Sequence, residues 1–148
     1  MLGDSPDRPG LARFAAAQDR GMIWHRALEE LRSGRKQSHW MWFIFPQIAG
    51  LGSSATSRFY ALRDGAEARA YLADAVLGAR LLACTAAVLQ WAGQRDLETL
   101  FGTIDAQKFR SAMTLFEAVG GGPQFTEALE RFADGERDRQ TLALLAAG

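Results

Sequence analysis

Arg35-Lys36-Gln37-Ser38-His39-Trp40-Met41-Trp42-Phe43-Ile44-Phe45-Pro46-Gln47 is the stretch on which the fold turns. Its six consecutive apolar residues, Trp40 to Phe45, fit a buried strand or a two-turn buried helix equally well. Ser38 is placed to cap such a helix, and Pro46 makes Phe45 the end of either element. The segments on both sides are helical by periodicity, so the chain reads as all-α, a compact single-domain array of about seven short helices.

Upstream, Leu11, Phe14 and Ala15 share one face of a short helix, and Trp24, Leu28 and Leu31 one face of a second, stopped near Gly34. Downstream, Gly50-Leu51-Gly52-Ser53-Ser54 is a loop that leads into a helix through Arg58 and Tyr60. Asp64 with Glu67 three residues on is a capping-box pattern. Asp74 caps the longest expected helix, over about 75–92, with Leu77, Leu81, Cys84, Val88 and Trp91 at helical spacing. Asp96 opens one turn, and Asp105 opens a helix that turns Phe109, Met113 and Phe116 inward as far as Val119. Gly120 to Gly122 break that helix, Pro123 starts the next, and Asp138 caps a last one ending near Leu145. Residues 1–10 read as an arm and residues 11–148 as one domain.

A chain of 148 residues buries a core without disulfides or metals. With 48% hydrophobic and 23% charged residues it is globular rather than disordered. Seventeen basic residues balance seventeen acidic ones, so no net field draws it to duplex nucleic acid or to an anionic membrane. The longest apolar run is far too short to span a bilayer. Cys84 stands alone in an apolar helical pattern, which implies a reducing compartment, and the expected location is the cytoplasm. With two histidines and no carboxylate at ligand spacing, no metal site and no cofactor are expected.

Two of the seventeen basic residues are lysines, Lys36 and Lys108, which leaves fifteen arginines. An ammonium is a compact point charge that a guanidinium does not imitate. Both lysines fall in polar-aromatic blocks, one over residues 34–53 and one over residues 101–116.

Those blocks carry a resemblance. Leu31, Gly34, Lys36 and Ser38 to Gln47, continued by Gly50-Leu51-Gly52 and Ser54, resemble the signature of the bacterial "domain of unknown function 1810" family. So do Phe101-Gly102, Asp105, Lys108, Arg110-Ser111 and Met113 to Phe116. The likeness extends to Phe14, Ala17, Gln18, Glu67-Ala68, Tyr71-Leu72, Leu77-Gly78 and Arg80-Leu81, and so to nearly all of the chain beyond its first ten residues. It implies a small, mainly helical bacterial domain and no established activity. The chain departs from the family pattern at Asp74 and Ala75, where His and Pro are usual, and at Ile104 and Ala112, where Pro and Ser are favoured. The label calpastatin, given to some members, describes a disordered inhibitor and does not suit this composition.

Read as chemistry, the first block sets Lys36, Ser38 and His39 beside the indoles of Trp40 and Trp42 and a loop bearing Gln47, Gly50 and Gly52. That set suits a small nucleotide-like or ADP-ribose-like anion: a base stacks on an indole, and phosphates meet ammonium groups and backbone N–H groups. Lys108, Ser111 and Thr114 would extend the polar surface from the second block. His39, Glu67 and Asp105 are the candidate acids and bases for hydrolysis of an N-glycosidic or phosphate bond. The plainer readings are core packing for the aromatic run, helix starts for Glu67 and Asp105, and back-bonding to the helix for Ser111 and Thr114. In arrangement the blocks are similar to the small helical N-glycosidases that process ADP-ribose, an analogy of order alone. The rivals are a non-catalytic sensor of a nucleotide or another anion, and a protein interaction module with no small-molecule site.

Overall fold

In the computed structural model, which describes residues 10–148, carboxylates start three of the helices or their leading turns. The helices are α1 (Ala12–Asp19), α2 (Ile23–Arg32), α3 (Met41–Ile44), α4 (Ala55–Tyr60), α5 (Gly65–Ala73), α6 (Leu77–Leu89), α7 (Leu97–Phe101), α8 (Thr103–Ala118), α9 (Pro123–Phe132) and α10 (Arg139–Ala147). A 3-10 turn, Arg20–Met22, joins α1 to α2. Seven helices have eight residues or more, and the described residues hold no strand beyond a single bridge between Ile48 and Leu62. The arm expected over residues 1–10 lies almost wholly outside the described residues.

Asp64 accepts from the N–H of Glu67 and Asp96 from that of Thr99, each satisfying an orphan donor of a first turn. Asp74 accepts from Val76 and Leu77, and Asp138 stands at the N-cap of α10. Asp138 does not cap through its side chain: its carboxylate accepts the hydroxyls of Ser111 and Thr141 instead.

The apolar run resolves as a single helical turn, α3, with Trp40 at its N-cap and Phe45 beyond its end. Ser38 does not cap it, because its hydroxyl donates to Glu30 at 2.6 Å. Trp40, Met41, Ile44 and Phe45 join the core, while Trp42 and Phe43 on the other side of the turn are half-buried. Phe45 lies edge-on to Phe101 and Phe109, which ties α3 to α7 and α8.

The central helix is α8, sixteen residues against thirteen in α6, which the periodicity had made the longest. From Ser111 to Phe116 every residue of α8 is buried, and the helix packs against α5, α7, α9 and α10. It begins at Thr103 rather than Asp105, because Gly102 takes a positive φ of 84° and releases the chain from α7 directly into it. Helix α6 packs on α2, α5 and α9.

Cys84 is fully buried in α6, and burial raises its thiol pKa to about 12. An aromatic disulfide reagent is expected to leave the native protein untouched and to titrate one thiol after denaturation. A thiol that reacts at neutral pH without unfolding would place Cys84 elsewhere.

Candidate functional site

The site begins at the end of α2. Gly34 has a φ of 84°, and its carbonyl accepts from the Arg95 guanidinium at 2.8 Å, while Lys36 N–H donates to the carbonyl of Leu100 at 2.7 Å. Glu30 then organises the turn. Its carboxylate accepts from the N–H groups of Gln37 and Ser38, from the Ser38 hydroxyl and from the indole N–H of Trp40, all between 2.6 and 2.9 Å. Burial works to raise the Glu30 pKa, but the bonds from Ser38, Gln37 and Trp40 outweigh it and hold the carboxyl below the usual range. Nothing in the spacing of the sequence singles out Glu30.

A depressed carboxyl contributes stability that is complete above its unfolded pKa and is lost as pH falls through the folded one. Glu30→Gln is therefore expected to cost about 1–2 kcal/mol at pH 7, since it leaves one acceptor oxygen and no charge for four donors. The gap from the parent should close under acid conditions. A gap that stays constant from pH 7 to pH 3 in denaturant melts would reject the carboxylate as the organising group.

Thus held, Lys36 reaches α8. Its ammonium lies 2.9 Å from Asp105 Oδ2 with only 8% of its side chain exposed, and Lys108 lies 3.6 Å from Asp105 Oδ1. Lys36 also sits 5.0 Å from the ring centre of Trp40, and Lys108 4.6 Å from that of Trp42. The chain's two lysines thus converge on one carboxylate, each against an indole.

Beside this cluster a cleft of about 340 Å³ opens between the loop after α3, the first half of α8 and the start of α10. Gln47, Leu51, Gly52, Ile104, Gln107, Lys108, Arg110 and Ser111 are among its lining residues. The backbone N–H of Gly52 has no protein acceptor among the described residues. A Cβ at Gly52 would fall 2.6 Å from the Ser57 hydroxyl, so the bare backbone is what the loop accommodates there.

A sequence model of proteins of unknown function, DUF1810, matches residues 8–145. The chain belongs to the DUF1810 family. The crystal structure of the conserved hypothetical protein Rv1873 from Mycobacterium tuberculosis is similar to this DUF1810 domain at a TM-score of 0.88 and 44% identity. The match covers 92% of this chain and 96% of that one. The comparison with curated proteins gave no match.

The DUF1810 blocks do not all meet at the cleft. Lys108, Gln47, Gly52 and Ser111 line it, and Lys36, Asp105 and Trp42 adjoin it through Lys108. Trp40 is fully buried, walled by Phe45, Phe101 and Lys36, so the stacking platform expected of it is in the core. Gly50 takes a φ of 106° and lies against α10, where a Cβ would meet Leu144 at 2.9 Å. Thr114 is fully buried, donates to the Arg110 carbonyl at 2.8 Å and accepts from the Asp138 N–H, while Ser111 donates to Asp138. These two hydroxyls fasten α10 to α8 rather than extend a ligand surface.

Of the candidate acids and bases, Asp105 is held between the lysines. Glu67 is buried in a separate knot, where it accepts from the Arg63 N–H and pairs with Arg13 and Arg63. Arg13, itself buried, also donates to the carbonyls of Phe59 and Ala61, so the knot ties α1 to the start of α5. His39 is exposed, and among the described residues its ring makes no hydrogen bond. No single described helix is long and apolar enough to cross a membrane, and no described cluster of His, Cys, Asp and Glu could hold a metal ion.

Proposed function

We propose that this domain binds a small nucleotide-like anion at the lysine end of the cleft, as a binding module rather than a hydrolase. The observation that supports the reading is the convergence of Lys36 and Lys108 on Asp105, beside Trp42 and the cleft. Two ammonium groups sharing one carboxylate leave an excess positive charge, and Lys108 opens on the cleft wall, where an anion can take up the excess.

Binding is favoured over hydrolysis because none of the candidate bases is free at the cleft. Asp105 is paired with both lysines, and Glu67 is neutralised by arginines elsewhere. Hydrolysis stays as the second reading on the strength of His39, whose unengaged ring stands on the same turn as Lys36. A cytoplasmic location belongs to the same proposal, supported by the single cysteine in the sequence.

The test is a titration with ADP-ribose, AMP and pyrophosphate followed by tryptophan fluorescence, since Trp42 lies against Lys108. A saturable response that Lys108→Ala removes supports binding. Silence toward all three rejects it, and turnover seen by chromatography and lost in His39→Ala selects the hydrolase.

A further inference from the structure

We infer that the cleft selects its ligand by a neutral planar edge as well as by charge, with Gln47, Gln107 and Gln140 as the selecting residues. The inference rests on the anion-binding reading above and names the other end of the ligand.

The three glutamines come from separate elements: Gln47 from the loop after α3, Gln107 from α8 beside Lys108, and Gln140 from the first turn of α10. All three line the same cleft as Lys108. Apart from Lys108, the other polar side chains there are committed. Arg110 donates to the carbonyls of Glu136 and Arg137, Ser111 to Asp138, Ser57 to the carbonyl of Ser54, and Asp138 accepts from Ser111 and Thr141. The side-chain amides of the three glutamines enter no hydrogen bond among the described residues.

A primary amide holds a donor and an acceptor at a fixed separation, so it pairs bidentately with an edge that offers the complement, as glutamine does with adenine. Leu51 and Ile104 supply apolar contact for the face of a ring. Ile104 is 71% exposed, and a ring laid against it would remove that surface from water. The volume of about 340 Å³ is at the small end for small-molecule sites, which suits one ring system and one anionic group. A nucleoside monophosphate meets these requirements, with phosphate toward Lys108 and base among the amides.

Calorimetry with AMP and with ribose 5-phosphate tests this. AMP is expected to bind about tenfold more tightly or better. In the triple variant Gln47→Ala, Gln107→Ala, Gln140→Ala its affinity should fall to that of ribose 5-phosphate. The affinity for ribose 5-phosphate should not change, which also reports that the variant is folded. Equal binding of the two ligands by the parent, a preference that survives the triple variant, or an equal loss of both ligands overturns the inference. If ribose 5-phosphate binds through Lys108 and AMP no better, the anion site stands and this inference alone falls; if neither ligand binds, both fall.

Discussion

Gly78→Ala is expected to destabilise the domain by about 3 kcal/mol, the upper part of the range for overpacked cores, and to lower Tm by roughly 10 °C in a chain of this size. Gly78 is buried in the first turn of α6, just after α5 bends through 88° into it. A Cβ there would fall 2.2 Å from the carbonyl oxygen of Leu72 and 3.1 Å from its carbon. Both are backbone atoms near the end of α5, so no rotamer change relieves the overlap. The corner is held from the other side too, since Asp74 caps Leu77 and its carbonyl accepts the Gly78 N–H at 2.9 Å. By helix propensity alone alanine would gain about 1 kcal/mol over glycine at this position, so the sign of the result decides whether contact or propensity governs. Gly93→Ala is the control: its φ is 82° with nothing within 4 Å of a Cβ, and strain alone should cost about 1 kcal/mol. A Gly78→Ala protein as stable as its parent in chemical denaturation would mean that α5 and α6 do not approach as described.

The same corner shows what the sequence discloses and what it does not. Asp74 is legible as a cap because capping is local, a carboxylate two and three residues ahead of the N–H groups it accepts from. Gly78 looks like an ordinary flaw in a helix, since the atom that forbids a side chain there belongs to another element. The candidate site divides along the same line. Lys36 and Lys108 stand out by rarity, and their meeting across 72 positions is not written in either block but follows from the Lys36 N–H bond to the Leu100 carbonyl and from Phe45 seating against Phe101 and Phe109. Glu30 could not be found from pattern, because the four donors it accepts lie in a turn with no periodicity. Trp40 and Thr114 misled for the opposite reason. An indole or a hydroxyl in a polar block is compatible with a ligand surface and with a satisfied core position, and only burial separates the two.

Asp105→Asn is expected to tighten the binding of a phosphate-bearing ligand by about tenfold, while Lys108→Ala weakens it by as much or more. Asp105 presents its two oxygens to the two ammonium groups and so occupies the place an anion would take. Two unit charges about 4 Å apart at a protein surface interact by about 4 kcal/mol before screening, and the partial exposure of Asp105 and Lys108 leaves a fraction of that for a ligand to gain. The amide keeps the shape and removes the competing charge. Without ligand the substitution should lower Tm, because Lys36 is nearly enclosed and loses its counter-charge. Phosphate should then restore more stability to the variant than to the parent, as ligand linkage requires of the tighter binder. The opposite sign separates this role from the others open to Asp105. A general base replaced by its amide would lose turnover without gaining affinity, and a helix-start residue would lose stability that no anion restores. Weaker phosphate binding by Asp105→Asn, at unchanged far-ultraviolet circular dichroism, would show that the carboxylate helps to hold the ligand instead of standing in for it.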